Sequence, residues 1–166
     1  MRTFGAILIG SVHLLATVVW LGGAIFADQV LRPEAAKLEP PQAGHLGQAI
    51  GARFTIFAWS AAGVLLLTGI LRAAALGAFS PDILFATAYG YVLLVKILFF
   101  LALVVAGILI LRAGRALGKL SAGGGVPQEI GLAAKTLRTY QLAAIYLGIV
   151  VVVLAVSLRA LGLPEV

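Results

Sequence analysis

The sequence has no cysteine. That excludes disulfides, thiolate zinc sites, iron–sulfur clusters and thiol nucleophiles. Its single methionine is Met1, so the soft thioether ligand that selects Cu(I) is missing from the interior. Carboxylates are equally scarce, six in 166 residues, and none falls inside an uninterrupted apolar stretch. Hydrolysis by paired acids and carboxylate-driven proton pumping therefore lack their groups. No H-E-x-x-H, G-x-S-x-G or nucleotide-binding fingerprint occurs, which removes the zincin, serine-hydrolase and nucleotide readings. Charge of any sign is rare, at 11% of residues, against about 25% in a soluble domain.

What fills the space is apolar. Hydrophobic residues make up 62% of the chain, and the mean hydropathy is +1.12. A soluble fold of this length could not hide so much apolar surface, so lipid is the expected solvent. The length suits a single domain, 1–166. The net charge of +6 reads as the Lys/Arg excess of membrane loops rather than as a nucleic-acid surface, because no basic domain exists to carry one.

Charges divide the apolar sequence into four stretches, predicting an all-α membrane protein, a four-transmembrane-helix bundle with spans at about 3–27, 54–77, 84–111 and 139–160. Each approaches or exceeds the ~20 residues a spanning helix needs. The first stretch is longer than the ~7–15 residue core of a signal peptide, so it is expected to be retained. Eight basic residues (Arg32, Lys37, Arg53, Arg112, Arg115, Lys119, Lys135 and Arg138) border the first and third loops, against three (Arg2, Arg72 and Arg159) on the opposite side with Asp82 and Glu165. This asymmetry puts loops one and three in the cytoplasm and both termini on the outer face. Tyr89 and Tyr91 then fall at an outer aromatic belt and Tyr140 at an inner one. Glycines such as Gly10, Gly23, Gly69 and Gly148 fit close helix packing. The stretch Gly123-Gly124-Gly125-Val126-Pro127 lacks any P-loop context and reads as a flexible connection. Pro40 and Pro41 break the first loop, and 43–52 is expected to form a short interfacial helix.

Ionisable groups inside a bilayer are costly and need a reason. His13 lies 15 residues before Asp28, about 22 Å at helical rise. Lys96 lies 16 residues before Arg112, about 24 Å. Both are expected at one level in the outer half of the membrane, facing inward, with at least one of them neutral or paired. An imidazole there can ligate a metal or haem iron or relay a proton, or it can simply bond a backbone carbonyl. Trp20, seven residues on, should share its helix face, to wall a planar ligand or to pack the bundle. Trp59 is open to the same two readings. Arg53 and Arg138 can anchor the cytoplasmic helix ends or bind carboxylates and phosphates, and Arg72 closes the other end of the second span. His45, in the first loop, is a solvated histidine or a second metal ligand. Thr68, Gln141, Ser60 and Ser157 read as interhelical hydrogen-bonding groups.

The stretch His13-Leu-Leu-Ala-Thr-Val-Val-Trp20-Leu-Gly22-Gly23 resembles the first-helix signature of copper-resistance protein D (CopD)-like membrane proteins. Arg53-Phe54 with Leu67-Thr68-Gly69 resembles that family's second helix, and Tyr89-Gly90-Tyr91-Val92-Leu93-Leu94-Val95-Lys96 its third. The resemblance implies copper handling across a bacterial-type inner (plasma) membrane. A more distant resemblance, to HemJ-type protoporphyrinogen oxidases, rests on the His-to-Trp spacing of seven and the Lys of helix three. It implies a b-type haem, with His13 as axial ligand and Lys96 as a catalytic or charge-pairing group. The chain departs from that layout at Arg32, twelve residues past Trp20. Three functions stay open: copper or other metal-ion handling, haem- or porphyrin-linked redox chemistry, and a non-catalytic membrane subunit. The expected partners are the lipid bilayer, a metal ion or haem, and a membrane or periplasmic protein.

Overall fold

The computed structural model describes residues 2–161; Glu165, counted above among the outer charges, lies outside them. Among the described residues the structure is helices joined by short turns, and four of the helices are long and apolar enough to cross a membrane. It is a multi-pass membrane protein of the expected class. It divides into two compact units, Met1–Pro81 and Asp82–Val166, and each is an antiparallel helical hairpin.

In the first unit, helix α1 occupies residues 2–35 without a break, and α2 occupies Pro40–Ala75. α1 is not regular. Its ladder is α-helical over Arg2–Thr17, widens to a π turn at Val18–Gly22, narrows again, and widens a second time at Ala27–Leu31 before ending at Ala35. The helix runs straight through Asp28, which the sequence marks as a boundary. α2 begins at Pro40, where a missing N–H costs nothing because the first turn has no intrahelical acceptor for it. The segment 43–52 is therefore not a separate interfacial helix but the first three turns of α2. Gly77, with φ +66°, closes its far end: Leu76 N–H bonds Arg72 O, and Ala78 N–H bonds Ala73 O.

A short helix α3, Pro81–Ala86, begins at the boundary between the units, and the second unit continues with α4, Ala88–Ala122, and α5, Pro127–Leu161. Thr87 caps α4: its hydroxyl oxygen accepts from Gly90 N–H at 3.0 Å, as an N-cap threonine does. A Cβ on Gly90 would collide with the carbonyls of Ile83 and Leu84, so α3 can fold back onto α4 only at a glycine. The triglycine is an ordered cap rather than a loose connection. Gly123 and Gly125 donate to the carbonyls of Lys119 and Leu120, and Gly124 sits at φ +71°. That is the usual way to end a helix, and it leaves those two N–H groups unable to cradle a phosphate.

The packing is that of a protein solvated by lipid. The buried apolar residues are mostly small: Ala16, Ala61 and Ala73 in the first unit, Ala106 and Ala144 in the second, with Leu93, Leu103 and Ile145 beside them. Large side chains such as Leu14, Leu67, Leu98 and Val156 point outward. Hydrocarbon exacts no penalty for that, and small residues let the backbones approach.

Candidate metal-ligating site

The polar centre of the first hairpin lies between α1 and α2. His13 Nδ1 is 2.7 Å from Thr68 Oγ1. The Thr68 hydroxyl also stands 2.6 Å from the carbonyl of Val64, one turn back on its own helix. A hydroxyl has one proton. Spent on Val64 O, it leaves Oγ1 as the acceptor for an Nδ1–H of His13. A neutral imidazole so held carries its lone pair on Nε2, one of the two ring nitrogens that can ligate a metal. Thr68 is one of two buried polar residues among those described, so this contact sits in the seam and not on the lipid face.

Neighbouring positions shape the same place. A Cβ on Gly69 would lie 3.8 Å from His13 Cε1, and one on Gly10 would lie 3.3 Å from a terminal guanidinium nitrogen of Arg72. Arg72 thus lies across the α1 backbone at Gly10, one turn beyond Thr68. Its guanidinium has no hydrogen bond or ion pair among the described residues. Thr17 donates to His13 O at 2.9 Å, on the last turn before the ladder widens. The pairs His13–Thr68, Gly10–Arg72 and Gly23–Phe54 fix an antiparallel register in which residue numbers sum to roughly eighty.

That register separates His45 and Arg53 from the imidazole. His45 is exposed on the opening turns of α2, 23 residues before Thr68, about 35 Å along the helix. A single ion therefore cannot take both His13 and His45. Arg53 is exposed 15 residues before Thr68, about 22 Å away. Beside it, the Phe54 ring lies so close to Gly23 that a Cβ there would come within 2.6 Å. Trp20 is half-buried inside the first π turn, and a wide turn takes in one residue more than an α turn. The seven-residue spacing from His13 therefore no longer defines a shared face by α-helical arithmetic. Trp59 is exposed on α2. Lys96 belongs to the second hairpin and is half-buried on α4. Arg138 is exposed on α5, and Ser157 bonds the carbonyl of Val153 in its own helix.

Two residues escaped the sequence reading as site groups. Arg72 looked like a helix-end anchor. Asp28 looked like a span boundary, yet its side chain is only 6% exposed within the second π turn. Its Oδ1 is 3.1 Å from Arg32 Nε but out of line for a hydrogen bond, so this is a charge contact. Its Oδ2 accepts from Gln29 Nε2 at 2.8 Å. The i,i+4 spacing of Asp28 and Arg32 was the available signal. Among the described residues, no three His, Cys, Asp or Glu side chains gather into a metal cage. No family model, curated protein or solved structure matches the chain.

Proposed function

We propose that this membrane protein handles a metal through His13, with copper as the ion it holds or passes across the bilayer. The observation that carries the reading is the His13–Thr68 contact. An intramembrane imidazole tethered at Nδ1, with its lone pair on Nε2, is arranged as metal ligands usually are, the second nitrogen fixing ring and tautomer. Copper is the substrate implied by the resemblance of the His13-to-Gly23 stretch to CopD-like proteins. The donor at hand is an imidazole nitrogen, without sulfur, which suits Cu(II) better than Cu(I). One imidazole makes a transient station rather than a cage. The same proposal sets the turns at 36–39 and 123–126 on the cytoplasmic side of a bacterial-type inner membrane. Its support is the Lys and Arg excess beside them.

A second reading, binding of a b-type haem, is favoured by Arg72. Its guanidinium is held over Gly10 near the imidazole, where it could pair with a propionate. His13 would ligate the iron, and Trp20 and Arg53 would contribute an aromatic wall and a second cation. Lys96 enters this reading through the resemblance alone. Haem, when bound, supplies one-electron chemistry.

Purification from cells supplied with copper and with haem separates the readings. Copper in stoichiometric amount, lost in His13→Ala, supports the first. A Soret band lost in the same variant supports the second. Neither metal in the unmodified protein would leave a non-catalytic membrane subunit and end both.

A further inference from the structure

The second hairpin is longer than a membrane requires. α4 and α5 have 35 residues each, about 52 Å at helical rise, against a hydrocarbon core of ~30 Å. The apolar run of α4 ends at Leu111, and that of α5 begins after Arg138. Residues 112–138, expected as a loop, are instead two helical arms joined by a short turn. Their packing seam continues outward: Leu117 and Leu120 on one arm, Ile130, Ala133 and Leu137 on the other, are all half-buried.

These arms carry five cations. Arg112, Arg115 and Lys119 follow i, i+3, i+7 spacing on α4, and Lys135 and Arg138 follow i, i+3 spacing on α5; each set shares one helix face. All five are exposed, and none of their side chains makes a hydrogen bond or ion pair among the described residues. The one acid on the arms, Glu129, sits near the tip. Arg112 lies eleven residues before Gly123 and Arg138 twelve after Val126, so both stand roughly 16–18 Å from the turn. Arg115 and Lys135 likewise share a level, one turn further out. Four like charges thus ring the hairpin within a turn of the apolar boundary.

We propose that this ring binds the phosphates of anionic phospholipid headgroups. Its depth decides the ligand class. Arg112 directly follows the last apolar residue of α4, and Arg138 directly precedes the apolar run of α5, so these groups stand where lipid phosphates lie. An acidic protein segment would have to enter the headgroup layer to reach them. Three of the four are arginines, whose forked donors match phosphate oxygens two at a time. Basic clusters beside a transmembrane helix are attracted to anionic lipid in general; here a rigid helical hairpin fixes their spacing.

The test uses the full chain in mild detergent, titrated with phosphatidylglycerol or phosphatidylcholine, with retained lipid read by native mass spectrometry. The wild type should retain phosphatidylglycerol over phosphatidylcholine by roughly tenfold or more. The variant Arg112→Gln/Arg115→Gln/Lys135→Gln/Arg138→Gln should lose that preference. If it cannot be purified, Arg112→Gln/Arg115→Gln and Lys135→Gln/Arg138→Gln should each lose part of it. Equal retention of both lipids by the wild type, or a preference that survives the substitutions, overturns the proposal. So does capture of a polyglutamate peptide by these residues with no lipid preference.

Discussion

His13 takes its orientation from an oxygen on another helix, and that dependence can be measured. Thr68→Val keeps the side-chain shape but removes the acceptor. It should cost about 1–3 kcal/mol for the stranded imidazole donor and weaken metal or haem binding about 10–100-fold, whereas Thr68→Ser should bind nearly as the wild type does. Titration of the purified variants checks this, and equal binding by all three would remove Thr68 from the account. Asp28 and Arg32 make an unequal pair, because the acid is buried and the base is about a third exposed. Arg32→Gln leaves a buried carboxylate without its countercharge, while Asp28→Asn leaves a cation that water or headgroups can reach. Arg32→Gln should therefore destabilise more, by about 1–3 kcal/mol between the surface and buried limits. Unfolding in detergent gives the order, and the reverse order would contradict it. That His13 needs a polar partner was legible in the sequence because an ionisable group in an apolar run is conspicuous. Thr68 was legible only as a hydrogen-bonding group without a partner. Arg72 and Asp28 were not, because which residue faces a seam depends on interhelical register, and a charge at the end of an apolar run normally marks where a span stops.

Helix interiors hold what apolar periodicity does not encode. The π turns of α1 depend on ladder geometry, not on hydrophobic spacing, so the sequence offered a regular helix and a simple His-to-Trp face. The continuity of α2 was hidden by Pro40 and Pro41, which break a loop as readily as they begin a helix. The triglycine read as slack because glycine permits both flexibility and a left-handed cap; the hydrogen bonds from Gly123 and Gly125 decide for the cap. Gly124→Ala, at φ +71°, should cost about 1–2 kcal/mol, and Gly114→Ala, in open space on α4, should not destabilise. Gly23→Val sets a branched side chain against the Phe54 ring, at a cost of about 1–3 kcal/mol, and Phe54→Leu should recover part of it. Thermal melts of the single and double variants test both, and a double variant no more stable than Gly23→Val would contradict the contact.

At the scale of the whole molecule, the four helices and their lipid-facing surfaces were legible in the high apolar content and in the charges that divide it into four stretches, each about long enough to cross a bilayer as a helix. Sidedness rests on the basic residues beside the turns, and the lack of cysteine makes it simple to test. Lys37→Cys and Ser121→Cys should be labelled by an impermeant thiol reagent from one side of the membrane, and Phe79→Cys from the other. Labelling of Phe79→Cys together with Lys37→Cys would break the topology.

The most direct measurement is nitrogen-15 magnetic resonance on histidine-labelled protein in bilayers, where His45→Asn leaves His13 as the only labelled ring of the two in the chain. The ring should be neutral and protonated at Nδ1, with the lone pair on Nε2, and should lose that fixed tautomer in Thr68→Val. A ring protonated at Nε2 with a bare Nδ1 would contradict that assignment, because the nitrogen offered to a metal would then be the one that Thr68 occupies.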